Sequence, residues 1–481
     1  MRPPHPSQPP RPLSAGPGAG NSGPFAAPPR EHREKTRLTF TVFGDRLACT
    51  VAQETLSHKC LVPYDAERVA EATRTIVGTL ARGNRARTLS DANLRDLQGA
   101  GEELWRMLIP EPVRDDLEGH DGSPLLLELD DALVPVPWEL IYDGNQFLCR
   151  RFEIGRAVST SQPSRAAPAR KITTPPAKLL VVLSNPRGDL PDVDAEGPAI
   201  LEELEGHSQV KARLVVGRNV DYVRRELKDF DLIHYAGHAD HVPHDPEASG
   251  WHLSDGKLPA REIANLAGGR PMPLLVFSNA CQSSHAGIPA IAAGPADARS
   301  VFGLANAFLV SGVKYYIGTQ WEVVDGASRT FARAFWAALV RGHSVGGAVR
   351  RARERVLTQD GESDLGWASY VLYGDPEFVP IPPELAHVEA PVPTPADLAM
   401  RQSIRRKAPV GALARANQAH HDSGGWTQPV DRPERDRSGP QPTQRRRRMS
   451  DRTASLLWLA VGAVGMAATL VIAWLIYNAM K

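Results

Sequence analysis

The chain has 481 residues, enough for two or three average domains or for one large α/β unit with long tails. Its 56 Lys and Arg residues nearly balance 55 Asp and Glu residues, so no overall field attracts nucleic acid or an acidic partner. Four scattered cysteines without a Cys-x-x-Cys pair exclude a disulfide framework and favour a reducing compartment.

The first segment, residues 1–33, is rich in Pro, Gly and Ser and contains no apolar run. It buries too little apolar surface to offset the entropy of ordering, so we expect a disordered tail. It also lacks the apolar core of a secretory signal peptide.

Residues 34–165 predict an N-terminal α+β subdomain. RLTFTVFGDRLACTVAQ reads as a β-hairpin around Gly44 and Asp45. Helices are predicted over DAERVAEATRTIVGTLARG, capped by Asp65 and ended by Gly83, and over SDANLRDLQGAGEELWRMLI. Three short strands are predicted in SPLLLELDDALVPVPWELIYDGNQFLCRRFEIGRAV. This subdomain would complete the fold as a pseudo-symmetric half or contact a sensor.

After the Pro- and Ala-rich stretch SQPSRAAPARKITTPPA, residues 176–380 alternate apolar strands with helical patterns. The strands are predicted at KLLVVLS, ARLVVG, DLIHYAG, PLLVFSNA and VKYYIGTQW. The helices are predicted at AEGPAILEELE, VDYVRREL, SVFGLANAFLVSG and GASRTFARAFWAALVRG. Near-continuous apolar strands alternating with helices indicate a parallel sheet flanked by helices on both faces, a doubly wound α/β domain.

The C-terminal part predicts a tether and a membrane anchor. Residues 381–453 are rich in Pro, Arg, Gln, Asp and Ser without a sustained apolar period, and are expected to be disordered. Residues 454–480 are free of charge and exceed the ~20 residues that a transmembrane helix needs. RRRRMSDR precedes this segment, so the positive-inside rule predicts a single-pass protein of the cytoplasmic membrane with its N-terminal domains in the cytoplasm. Small residues at Gly462 and Gly465 leave open a homo-oligomer through this helix.

Two residues with the chemistry of a nucleophilic pair follow neighbouring strands of the predicted sheet. His238 comes just past DLIHYAG, and Cys281 just past PLLVFSNA. In doubly wound folds the working residues lie at the carboxyl ends of the strands, and adjacent strands are about 4.8 Å apart. The imidazole and the thiol are therefore expected to meet, and a following helix would help to activate the thiol.

The histidine-rich stretch HYAGHADHVPH allows other interpretations. His234 lies on the same strand face as His238 and is predicted to be a core or supporting histidine, whereas His241 and His244 belong to a polar loop. A zinc site built from these histidines is the sharper alternative, but the spacing is unusual for zinc, and we expect no metal. Cys281 could also be an inert buried cysteine, and His238 a ligand of loop backbone.

Five motifs occur in order along the chain: VPVPWELIYDGNQFLCRRFEIGR, HYAGHA, LLVFSNACQSS, AFLVSGVKYYIGTQWEVVDGASRTFARAFWAALVRG and WASYVLYGDPEF. Together they resemble the CHAT family of caspase-like cysteine peptidases related to separase. The resemblance spans residues 125–380. It implies a caspase-like parallel sheet flanked by helices and a cysteine endopeptidase without a cofactor.

The resemblance also implies roles for single residues. Cys281 would be the nucleophile and His238 the general acid/base, with the backbone N–H groups of Cys281 and Ala239 facing the oxyanion. The family usually has Gly where this chain has Ala239. Glu322 and Asp325 would bind a basic side chain before the cleaved bond, although Asp325 is equally expected to cap the next helix.

The sequence therefore predicts a membrane-tethered peptidase that cleaves a protein substrate and is activated by a partner protein or ligand, in a bacterial defence or stress system. A catalytically silent scaffold that assembles partners at the membrane is the alternative. A nucleotide-binding signalling module ranks last because no Gly-x-x-x-x-Gly-Lys-Ser/Thr loop occurs.

Overall fold

The computed structural model describes residues 34–52, 57–159, 170–240, 242, 245–282, 295–321, 326–362 and 364–381, with the backbone alone for 281–282 and 295–302. The described residues fall in the first of two units, Met1–Val392, into which the chain divides. The predicted disordered tail, the membrane segment and the tether beyond Ile381 lie outside them, whereas Ile381 itself is buried. Within the described part no helix is long and apolar enough to span a bilayer.

One sheet of thirteen strands runs through the described residues. The strands are β1 (Thr36–Phe43), β2 (Arg46–Ala52), β3 (Ser57–Pro63), β4 (Pro124–Asp130), β5 (Glu153–Ser159), β6 (Ala177–Ser184), β7 (Val210–Val216), β8 (Leu232–Asp240), β9 (Gly250–Leu253), β10 (Gly256–Pro259), β11 (Leu275–Gln282), β12 (Tyr315–Thr319) and β13 (Tyr370–Tyr373). Their order is β10-β9-β8-β11-β12-β13-β5-β4-β1-β2-β3, and β6 pairs with both β8 and β7.

The sheet is mostly parallel, as the alternation of apolar strands and helices predicts. Strands β7, β6, β8, β11 and β12 run parallel to one another. Strand β13 is antiparallel to β12 and parallel to β5, which continues through parallel pairs to β4 and β1. The sheet is therefore continuous across the Pro- and Ala-rich stretch.

Helices cover both faces of this sheet. They are α1 (Ala66–Ala86), α2 (Asp91–Leu108), α3 (Glu111–Leu117), α4 (Leu148–Arg151), α5 (Pro191–Leu204), α6 (Val220–Glu226), α7 (Ala260–Asn265), α8 (Pro295–Ser311), α9 (Ala327–Val340) and α10 (Val345–Asp360). One core cluster joins α1, α2, α5, α9 and α10 to one face of the sheet, and a second joins α6, α7 and α8 to the other. This double cover explains why the central strands are apolar along their whole length.

The N-terminal half differs from expectation in two details. Helix α1 begins as predicted, because the Asp65 side chain accepts a hydrogen bond from the Arg68 amide. It does not end at Gly83 but continues to Ala86. Gly83 instead allows close packing, since a Cβ there would lie 2.7 Å from the Leu365 Cδ1. Where three strands were predicted between Ser123 and Val158, the structure has two, β4 and β5, joined by short helical turns.

Near its carboxyl end, strand β8 exchanges one neighbouring strand for another, and the two neighbours diverge there. On one side, β6 pairs with β8 as far as Gly237, opposite Ser184, and β9 takes over from Ala239 onward. Gly237 packs so closely on the end of β6 that a Cβ at this position would lie 2.2 Å from the Ser184 carbonyl oxygen. His238 is thus the one residue of β8 that lies between the part paired with β6 and the part paired with β9.

We predict that Gly237→Ala lowers the free energy of unfolding by about 1–3 kcal/mol or more, because the new Cβ meets fixed backbone and not a flexible side chain. Chemical denaturation of the chain measures this. The matched control is Gly99→Ala in α2, where a Cβ would have no neighbour within 4 Å. Because alanine favours helix, this control should be neutral or stabilising by up to ~1 kcal/mol. Equal stability of Gly237→Ala and the unsubstituted chain would contradict the prediction.

Candidate functional site

The backbones of the two predicted catalytic residues lie side by side. Strands β8 and β11 pair in parallel, and the register sets Cys281 opposite His238. Paired residues of neighbouring strands are separated by about 4.8 Å. Both residues lie inside their strands and not just past the ends, since β8 continues to Asp240 and β11 to Gln282.

The imidazole of His238 is buried, and one of its two nitrogens has a hydrogen-bond partner among the described residues. Its Nε2 lies 2.6 Å from the Asp189 Oδ1. Its Nδ1 is buried without a hydrogen-bond partner among the described residues. A neutral ring that donates from Nε2 to a carboxylate keeps its lone pair on Nδ1. The arrangement therefore leaves Nδ1 able to accept a proton.

Asp189 was not predicted from the sequence, and it reaches His238 from the loop after β6. Asn185 shapes this loop: its side-chain amide donates to the Leu190 carbonyl (3.0 Å), and its Oδ1 accepts from the Leu190 amide (3.3 Å). Gly188 permits the turn with a φ of +70°. The available signal was an acidic residue after the strand next to β8, at the edge of the sheet where working residues gather.

A second histidine ring, that of His252, lies near the His238 imidazole and contacts the carboxylate of Asp240. Asp240 contacts the Nε2 of His252 and accepts from the Lys257 Nζ at 2.7 Å. Burial alone would raise the pKa of Asp240, but the hydrogen bonds from Lys257 and His252 outweigh it and hold the pKa below its usual value. The His252 ring centroid is 6.3 Å from that of His238.

The histidine predicted to be a core or supporting residue is indeed fully buried. The Nδ1 of His234 lies 3.1 Å from the Trp336 Nε1, and its Nε2 lies 2.6 Å from the Glu196 Oε1. Glu196 is 1% exposed and also accepts from the Asn279 Nδ2 at 2.8 and 2.7 Å. The Tyr370 hydroxyl donates to the Asn279 Oδ1 at 2.9 Å. A buried polar network thus underlies the two strands that carry His238 and Cys281.

A small open pocket adjoins the strand ends on the face that carries α8. Ala239 and Ala280, the chain neighbours of the two predicted catalytic residues, line it together with Gln320. The Gln320 Oε1 is buried without a partner among the described residues. Because successive side chains of a strand point to opposite faces, this pocket lies on the face of the sheet opposite the His238 side chain.

Other predicted site residues are not all described. The predicted oxyanion residue Ala239 lies in β8, opposite Gln282 on one side and Trp251 on the other. Glu322 and Asp325, predicted to bind a basic side chain, lie outside the described residues, as do His241 and His244. In the described ranges no group of three or more His, Cys, Asp or Glu side chains could hold a metal ion.

We predict that Asp189 titrates below its usual pKa of about 3.9, because the hydrogen bond from His238 stabilises the carboxylate. The contact then contributes stability above the usual pKa, which is lost as the pH falls through the lowered one. Carboxyl NMR titration of the chain measures this pKa, and His238→Ala should return it toward the usual value. An Asp189 pKa that is usual or raised would contradict the described contact.

Comparison with known proteins agrees with the family that the motifs indicated. The CHAT domain family model matches residues 98–375. No curated protein sequence matches the chain.

Solved structures show weaker likenesses. The separase–securin complex of Saccharomyces cerevisiae, in its 2.6 Å crystal structure, matches with 10% identity and a TM-score of 0.44, over 71% of this chain and 30% of that chain. The chain thus spans about a third of the length of that relative. The Arg-specific cysteine proteinase gingipain R matches with 14% identity and a TM-score of 0.40, over 60% of this chain and 68% of that one. Since the family model covers more than half of its residues, the chain belongs to the CHAT domain family.

Proposed function

We propose that the chain is a cysteine endopeptidase in which Cys281 is the nucleophile and His238 the general acid/base. The observation that carries the proposal is the register that pairs Cys281 with His238 on neighbouring parallel strands. The Nδ1 of the buried imidazole, which has no partner among the described residues, supports it, because a thiol needs a neighbouring base to become a good nucleophile near neutral pH.

The reaction would proceed in two steps. The His238 Nδ1 takes the thiol proton, and the thiolate adds to the peptide carbonyl carbon. The tetrahedral intermediate collapses to a thioester as the imidazolium gives its proton to the leaving amine. Water then adds to the thioester carbonyl while the imidazole takes its proton, the carbon–sulfur bond breaks to release the carboxylic acid, and the imidazolium returns the proton to the thiolate.

Two further groups would serve these steps. The amides of Cys281 and Ala239 would donate to the oxyanion of the tetrahedral intermediate. Asp189 would fix the tautomer by accepting from the Nε2–H, and would stabilise the imidazolium between the two proton transfers.

Specificity for a basic residue before the cleaved bond is part of the proposal. It rests on Glu322 and Asp325, two carboxylates shortly after β12, whose charge suits a guanidinium or ammonium group. Activation by a partner protein or ligand, in a bacterial defence or stress response, would keep such a peptidase from cleaving other proteins of its compartment.

The decisive test is labelling with an electrophilic peptide that presents Arg at the reactive position. Proteins encoded by neighbouring genes are added in turn as activators. We expect the unsubstituted chain to be labelled at Cys281 under these conditions. Cys281→Ala and His238→Ala should each lower labelling and peptide turnover by about 1,000-fold or more.

Cys60→Ala is the matched control, because Cys60 is a free, partly exposed cysteine in β3, the edge strand at the other end of the sheet from β8. It should leave labelling unchanged. Equal labelling by an Asp-presenting peptide would refute the basic specificity alone. A Cys281→Ala variant that keeps every cellular effect would favour the scaffold instead of the peptidase.

We also propose that residues 454–480 anchor the chain in the cytoplasmic membrane, on the strength of their uncharged sequence after RRRRMSDR. In cell fractions the full chain should stay with membranes at high salt and be released by detergent. A chain ending at residue 453 should appear in the soluble fraction. Release of the full chain by salt alone would overturn the anchor.

A further inference from the structure

The carboxylate of Glu196 is buried at the junction of three elements. It belongs to α5 and contacts β8 through His234 and β11 through Asn279. All three of its contacts to these two residues come from nitrogen atoms. Such a group is expensive to bury unless its oxygens are hydrogen-bonded, which they are here.

The direction of every hydrogen bond around Glu196 follows from its outer partners. The Trp336 indole can only donate, so the Nδ1 of His234 accepts and the ring proton lies on Nε2, which donates to Glu196. Tyr370 donates to the Asn279 Oδ1, so the Asn279 NH₂ group faces the carboxylate. The network is fully complementary only with an acceptor at position 196.

The same carboxylate is tied to all three parts of the candidate site. His234 precedes His238 in β8 by four residues, and Asn279 precedes Cys281 in β11 by two. At about 3.3 Å per residue these positions lie within ~13 and ~7 Å of the predicted catalytic residues. Helix α5 also begins two residues after Asp189, so Glu196 anchors the far end of the loop that brings Asp189 to His238.

We infer that Glu196 is a positioning residue. Through His234 and Asn279 it fixes the positions of β8, β11 and α5 relative to one another. It thereby aligns Cys281, His238 and Asp189. This inference rests on the proposed function. It assigns no contact with substrate to Glu196. Its consequence is that donor and acceptor roles at positions 196 and 279 can be exchanged but not altered singly.

The test compares Glu196→Gln, Asn279→Asp and the double variant Glu196→Gln/Asn279→Asp. Glu196→Gln turns an amide donor toward the Asn279 NH₂ group, and Asn279→Asp sets two carboxylates against each other. In the double variant, the new amide at position 196 accepts from His234 and donates to the new carboxylate at position 279, which also accepts from Tyr370. The side chains keep nearly the same size. Each single variant changes the hydrogen-bond directions and also changes the total charge of the network by one unit, whereas the double variant moves the charge from position 196 to position 279 and keeps the total.

We expect each single variant to lower kcat by about 10- to 100-fold, with KM within about twofold, because a misalignment of about 1 Å has effects of this size. The double variant should recover kcat to within about threefold of the unsubstituted chain, together with its unfolding temperature. If a single variant fails to fold, the inference is tested by comparing kcat and the unfolding temperature of the double variant with those of the unsubstituted chain.

Two results would overturn the inference. Single variants with a lower unfolding temperature but full kcat would make the network purely structural. A double variant with restored unfolding temperature but low kcat would mean that complementarity does not align the site.

Alkylation separates this inference from the proposed function. The rate of Cys281 modification by iodoacetamide, followed by peptide mass spectrometry with Cys60 as internal reference, needs no substrate. If the unsubstituted chain turns over no peptide even with each activator added, the peptidase proposal fails, while slower Cys281 alkylation in the single variants and recovery in the double variant still support positioning. Equal Cys281 alkylation in all four proteins would refute it.

Discussion

The in-register parallel pairing of β8 with β11 is the constraint on which the rest of the site depends. It brings together two residues that are far apart in the sequence, and it does so through backbone hydrogen bonds that are insensitive to the side chains. A slip of one residue would move every side chain of a strand to the opposite face. The apolar helices on both faces make such a slip costly, so the packing of the whole domain maintains this one alignment.

Neighbouring parts of the sheet differ in how fully their buried polar groups are hydrogen-bonded. Deep in the sheet, Glu196 has all its polar contacts satisfied and rigidifies the strands. Near the strand ends, the Nδ1 of His238 is buried without a partner in the described part of the chain. An unsatisfied buried nitrogen costs stability, and such costs are typical of functional sites.

Much of the architecture follows from the sequence because its signals are local. Apolar runs predict β6, β8 and β11, and the same rule about strand ends led to His238 and Cys281. Asp189, Glu196 and Asn279 escaped prediction because their contacts join residues far apart in sequence: 49 positions separate Asp189 from His238, and 83 separate Glu196 from Asn279. The short strands β9, β10 and β13 were also missed, since four residues carry little periodicity. Gly83 misled because a glycine that allows close packing looks, in sequence, like one that ends a helix.

The continuity of the sheet has a practical consequence for dissecting the protein. A fragment beginning at residue 176 would lose β5, the neighbour of β13, and leave the latter's backbone groups bare along a new edge. It would also lack the side chains that β1 and β4 contribute to the core cluster on one face of the sheet. Bare edges invite pairing between molecules, so such a fragment would be prone to aggregate. A boundary at residue 98 would cut through α2. Expression of the part that holds His238 and Cys281 is best planned from the start of β1.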